Sequence, residues 1–275
     1  MDAAFPSLGL CDGRVSRSDL AGVPRRPTSA AEAAAVLEVV TARLRGRGDP
    51  RAAFSEVYGV ITRRVAEILV ERPGFFQEPA WISRLAGRFC ERYLETLTGS
   101  TEALHDCDAW AVSHGYAGRR ATVPIQEAML GLSAHINYDL AIGIFQNIVE
   151  LGGRHDARQL ARYRHDHDAV NELLRASMQE ALERLVRDHD CAVSALFGGW
   201  ARPVARWLVM QVLVRWRARV WREVLALLAA PGDGERAARI RRMDRRASRL
   251  GRLLIAPSAA YLGLRGLLGQ RVARA

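Results

Sequence analysis

The residues best placed to do chemistry lie in one apolar stretch, IQEAMLGLSAHINYDLAIGI, residues 125–144. Glu127, His135, Asn137 and Asp139 interrupt a run that an ordinary core helix keeps apolar. At about 100° per residue, Glu127, Gly131, His135, Tyr138 and Asp139 share a helical sector of roughly 120°. His135 and Asp139 stand one turn apart, so an imidazole and a carboxylate converge on one proton or one cation. On this basis His135, Asp139, Glu127 and Tyr138 are candidate catalytic residues. Gly131, on the same face, lets a ligand or a neighbouring helix approach the backbone. Asn137 faces the other side and is read as a substrate contact or as a bridge to another helix. The plainer alternative is that Asp139 orients His135, or meets an arginine from another helix in a buried structural network.

A second segment, HDHDAVNE at residues 165–172, alternates histidine and aspartate. Asp166 and His167, set opposite His135 and Asp139, make a candidate ligand set for one divalent ion: Zn, Mn, Fe or Mg. Carboxylates and histidines projecting inward from facing helices build such sites in bundles. The plain alternative is that Asp166 or Asp168 caps the helix that begins there. Asn171 and Trp110 join Asn137 as candidate substrate contacts. Two mechanisms follow: a metal acting as Lewis acid or water activator, or a His/Asp dyad acting as general base. No Gly-x-Ser-x-Gly, glycine-rich phosphate loop or dinucleotide fingerprint is present, and Cys107 is near His105 only in sequence.

Helices must position these groups. Ser29-Ala-Ala-Glu32 is a capping box opening a helix that runs to the Gly46/Gly48 region. Asp49-Pro50 opens the next, with Phe54, Val57, Tyr58, Ile61, Val65, Ile68 and Leu69 on one face, and Pro73-Gly74 ends it. Pro79 starts a third, with Trp81, Leu85, Phe89 and Leu94 inward and Arg84, Arg88 and Arg92 outward. Residues 99–122 read as a long irregular connection with one short turn near Trp110. Pro124 begins the most apolar helix, apolar almost all round, as a central helix is. One or two polar-faced helices over 156–190 and a long helix over 192–229 follow. After Pro231-Gly232-Asp233-Gly234 come an Arg-rich helix, 235–252, and an apolar segment, 253–268. No period-2 run and no internal repeat is seen. The fold class is all-α: a single bundle of about seven to nine helices over 29–230, behind a flexible segment, 1–28, and with a basic helical extension, 231–275.

All 40 basic residues are arginine, and asparagine occurs only at 137, 147 and 171, as a GC-rich genome would produce. Residues 201–275 hold 17 arginines against four acids, a net of +13, leaving 23 arginines and 26 acids to residues 1–200. A basic helix beside an apolar segment suits an anionic membrane surface or an acidic partner through residues 235–275. The alternative packs its Ile240/Met243/Leu250 stripe on the bundle. Nucleic acid is not the expected partner, because no recognition motif accompanies the charge. Widely spaced cysteines and the absence of a secretory signal place the chain in the cytoplasm, with peripheral membrane association through the tail. A small-molecule substrate is the expected ligand.

The run GLSAHINYDL, with the step from Asp166 to Asn171 some thirty residues later, resembles the bacterial family of unknown function numbered 5995. Trp110 and the step from Arg217 to Trp221 share in the resemblance, which spans about residues 50–230. It implies a helical fold and singles out His135, Asn137, Asp139, Asp166 and Asn171 without naming a reaction. His135 and Asp139 are also similar to the His-x-x-x-Asp of zinc-dependent phospholipase C, but the later His-x-x-x-Glu ligand pair has no counterpart here. Isoprenoid cyclases offer a third comparison, against which the chain lacks an Asp-Asp-x-x-Asp run. Together these readings describe an enzyme whose buried His/Asp site lies between two central helices. It would act by hydrolysis, proton transfer or cyclisation on a small, partly apolar substrate in specialised metabolism. The rival is a non-catalytic helical protein whose tail docks elsewhere.

Overall fold

The Ser29 hydroxyl accepts the Glu32 N–H at 3.2 Å and opens α1 (Ala30–Gly46), while the Glu32 carboxylate reaches back to the Thr28 N–H at 2.8 Å. The computed structural model describes residues 20–98, 107–118, 122–151, 156–189 and 201–272, the last of these with side chains at 206–255. Most of the expected flexible segment, with Cys11, His105, Cys191 and Trp200, lies outside the described residues. The other helices are α2 (Ala52–Glu71), α3 (Pro79–Thr98), α4 (Asp108–Gly118), α5 (Pro124–Glu150), α6 (Ala157–Asp188), α7 (Ala201–Leu228) and α8 (Asp233–Val272). Among the described residues there are eight helices and no strand, an all-α bundle.

Helix α5 is the axis: α2, α3, α4, α7 and α8 all pack against it, and α2 also lies between α1 and α6. It is long and apolar enough to cross a membrane, yet most of it is buried inside the protein, as befits a core helix. Gly131 is the point of closest approach. A β-carbon there would stand 2.6 Å from Phe54 Cβ, so only glycine lets α2 seat Phe54 on the α5 backbone.

Three expectations are corrected. The connection after α3 contains an eleven-residue helix, α4, rather than a short turn. Its first N–H groups, from Asp108 and Ala109, are taken at 2.9 and 2.8 Å by Asp244 of α8, a cap more than 130 residues away in sequence. The tail is one helix, continuous through Pro257, and buries Met243, Ala247 and Ile255. Finally, Arg92 does not face outward with Arg84 and Arg88, which pair with Glu150, but turns into the bundle.

Candidate functional site: a buried histidine and aspartate on the central helix

At His135–Asp139 the α-helix widens into a single π-type turn, with the Leu140 N–H bonded to the His135 carbonyl. The wider turn stacks residues 135 and 139 nearly one above the other, and such insertions gather at functional positions. His135 Nδ1 lies 3.1 Å from Asp139 Oδ2. Trp110 Nε1 donates to the same oxygen at 2.8 Å. Arg92 donates to Oδ1 through Nε at 3.1 Å and Nη2 at 2.9 Å. Burial by itself would raise the Asp139 carboxyl, but the Arg92 charge and the bonds from His135 and Trp110 outweigh it and hold the group below its ordinary range.

That ionised carboxylate can only accept, which fixes the imidazole. Nδ1 carries the proton and donates it. Burial lowers the His135 pKa against the opposing pull of Asp139, so the ring is neutral at neutral pH and Nε2 is an acceptor. Nε2 is buried and has no hydrogen-bond partner among the described residues. Aromatic rings enclose the imidazole: Phe89 is stacked on it at 3.4 Å between centroids, and Tyr58 meets it edge-on at 4.6 Å. Phe54, Tyr93 and Trp110 stand around it at 5.5–6.2 Å. Phe89 is the only half-buried member of this cage, the others being buried.

The remaining predicted residues are distributed as follows. Tyr138 is half-buried and carries the Arg92 guanidinium 5.9 Å from its ring centroid; burial raises its phenol. Asn137 is buried, donates to Ser133 Oγ at 3.4 Å one turn back, and leaves its Oδ1 without a partner among the described residues. Glu127 lies two turns, about 12 Å, along the helix from His135. It accepts from Thr122 Oγ1 and lines a cavity of about 310 Å³ with Arg45, Asp49, Asp188 and His189. Burial, reinforced by the Asp49 charge, pushes its carboxyl up to about 8.

Asp166 and His167 do not join His135 and Asp139. Asp166 is fully buried and accepts the Gln77 and Glu78 N–H groups at 2.7 and 2.6 Å, so it clamps the chain entering α3 instead of capping its own helix, which begins at Ala157. His167 accepts from Arg217 Nη2 on Nδ1 at 3.3 Å and donates from Nε2 to the Arg217 carbonyl at 3.1 Å. Asn171 accepts from Arg217 Nε at 2.8 Å, and Trp221 stands 5.9 Å from the His167 ring, which ties α6 to α7. No group of three or more histidine, cysteine, aspartate or glutamate side chains among the described residues is placed to hold a metal ion. The predicted four-ligand set is therefore not assembled, because the acceptors it needs on Asp139, Asp166 and His167 are engaged by protein donors. Cys107 Sγ donates to Asp244 at 3.5 Å, and burial raises its thiol, so it is a structural rather than a reactive cysteine.

Sequence reasoning overlooked Arg92 and Phe89 as partners of the dyad. The signal was there: Leu85, Phe89 and Arg92 follow one another at the four- and three-residue spacing of a single helix face.

The fold and site define a class: an all-α bundle built around one central helix that carries a buried, charge-compensated His–Asp pair. Residues 30–257 match the family of unknown function DUF5995, and the chain belongs to that family. No curated protein and no solved structure matches it.

Proposed function

We propose that this protein is a cytoplasmic acid–base enzyme of bacterial specialised metabolism in which His135 Nε2 is the general base. It takes a proton from a small, partly apolar substrate, or from the water attacking it, in hydrolysis, proton transfer or cyclisation. One observation carries this reading: Nδ1–H is committed to Asp139 while Nε2, a neutral ring's acceptor, is left without a partner among the described residues in an aromatic cage. An acid–base group works best when its ring is held in one tautomer and its receiving atom is kept dry. Asp139 is then a positioning residue, itself held by Arg92 and Trp110. The cage rings are suited to the apolar part of a substrate once Phe89 swings aside. A divalent ion is not part of this reading, since its expected ligands are engaged elsewhere.

An untargeted screen tests the proposal without a chosen substrate. Purified protein is incubated with a small-molecule cell extract, and the mixture is followed by mass spectrometry, beside His135→Gln and Asp139→Asn. The expected result is at least one metabolite converted by the wild type and not by folded His135→Gln. With that substrate in hand, kcat/KM should be flat through neutral pH and fall only in acid, below the ordinary histidine range, because the base is held neutral by burial. Identical metabolite profiles for wild type and His135→Gln, with lost stability in the variant, would sink the proposal.

A second reading, a non-catalytic helical protein, is favoured by His135 being only 1% exposed. In that reading Asp139 is a brace joining α3, α4 and α5, and the same experiment returns no conversion.

A further inference from the structure

Helix α8 divides its surface into three strips. At about 100° per residue, Met243, Asp244, Ala247, Ser248, Gly251 and Ile255 gather on one side, and all are buried against the bundle. Arg239 and Arg246 flank them and bind the Glu223 carboxylate of α7 at 3.4 and 2.8 Å. Arg241, Arg242, Arg245, Arg249 and Arg252 fall within a sector of about 100° on the opposite side. All five are exposed, and none of their guanidinium groups has a partner among the described residues. The one acid between Arg241 and Arg252 is Asp244, which faces inward onto α4.

A GC-rich genome accounts for an excess of arginine but not for this segregation. On α2, α3 and α6 several exposed or half-exposed arginines are balanced locally, as Arg63 and Arg64 are by Glu67, Arg84 and Arg88 by Glu150, and Arg184 by Glu180, whereas α7, which precedes α8 in sequence, carries exposed Arg215, Arg219 and Arg222. On α8 five positive charges stand in a row about 16 Å long with nothing opposite them. Leu253, immediately after the last of them, is 68% exposed. From Leu253 onward the same helix reads LLIAPSAAYLGLRGLL, with Arg265 its sole charge.

We infer that the outer face of α8 docks on an anionic phospholipid surface. The row of arginines meets the headgroup phosphates, and exposed Leu253 beside it reaches toward the acyl boundary. Charge complementarity selects an anionic partner. The apolar continuation selects a lipid surface over nucleic acid, for which a basic strip alone would serve. This inference is independent of any catalysis at His135.

The test is co-sedimentation of the 275-residue chain with phosphatidylcholine vesicles, plain or carrying about one-third phosphatidylglycerol, at low and high salt. Binding is expected only with the anionic vesicles, and it should weaken strongly as salt is raised. Replacing Arg241, Arg245, Arg249 and Arg252 together by glutamine should reduce the partition coefficient by about tenfold or more. The thermal midpoint should not move, because none of the four side chains is buried or paired; the double variant R245Q/R249Q should give an intermediate loss. The inference is overturned by absence of binding to anionic vesicles, by equal binding to neutral ones, or by wild-type binding of the fourfold variant. It is equally overturned if a short DNA duplex binds the same arginines more tightly than the vesicles do.

Discussion

Asp139 accepts four hydrogen bonds on two oxygens, and the consequences of removing its charge can be ranked against removing its neighbours. Asp139→Asn leaves Arg92 without the Asp139 countercharge in a largely buried position and replaces one of the two acceptor oxygens by an NH2 donor, opposed either to Arg92 or to Trp110 Nε1 and His135 Nδ1. Breaking a buried ion pair in this way costs about 3–5 kcal/mol, so urea unfolding should show a loss of that order. Arg92→Met/Asp139→Leu together should lose less than the two single changes summed, because no uncompensated charge remains. Glu127 offers a second prediction at this scale, through pH. Its folded pKa of about 8 lies above the ordinary 4.5, so the unfolded chain ionises first as pH rises. Stability is lost progressively between those two values, on the order of 5 kcal/mol in all. Glu127→Gln abolishes that loss. Its thermal midpoint should stand further above the wild type at about pH 8 than at about pH 5, and an equal difference at both would show that the carboxyl is not held neutral.

At the scale of elements, α2 is registered on α5 by Phe54 lying over Gly131. Gly131→Ala should destabilise by about 3 kcal/mol or more, since neither the Phe54 ring nor the two backbones have room to retreat. Adding Phe54→Leu should return part of that loss, and strict additivity of the two changes in thermal unfolding would disprove the register argument. The same scale explains what the sequence could disclose. Helices α2, α3 and α5 were legible because their apolar residues repeat every three or four positions and prolines mark their starts. Helix α4 was not, because its N-terminal N–H groups are capped by Asp244, a partner that no local pattern reveals. The π-type turn at His135 leaves no compositional mark either. The dyad itself followed from spacing, and so did its plain alternative: the structure supplies both the orienting bond to His135 and the arginine from another helix. Asp166 and His167 misled because alternating histidine and aspartate fit a ligand set and a pair of interhelical clamps equally well. Only the position of Arg217 and of the chain before α3 distinguishes the two.

At the scale of the whole molecule, α8 is both a wall of the bundle and the carrier of a row of exposed arginines, and truncations separate the two roles. A chain ending after Ala230 loses Met243, Ala247 and Ile255 from the core and Asp244 from the start of α4. Burial of Met243 and Ile255 contributes about 1.5–3 kcal/mol apiece and the Ala247 methyl roughly 0.8 kcal/mol; with the lost cap, the sum reaches the lower end of a domain's entire stability. That truncation should therefore be insoluble or lack a cooperative thermal transition. A chain ending after Pro257 keeps every one of those contacts along with the arginine row, and it spans the residues that match the family. It should unfold cooperatively, because it retains the described buried side chains that tie α8 to α4 and α5 and the Arg239 and Arg246 pairs with Glu223 of α7. If the shorter of the two chains unfolded like the longer, α8 would be an appendage, and the cap that Asp244 places on α4 would carry no weight in holding Trp110 against Asp139.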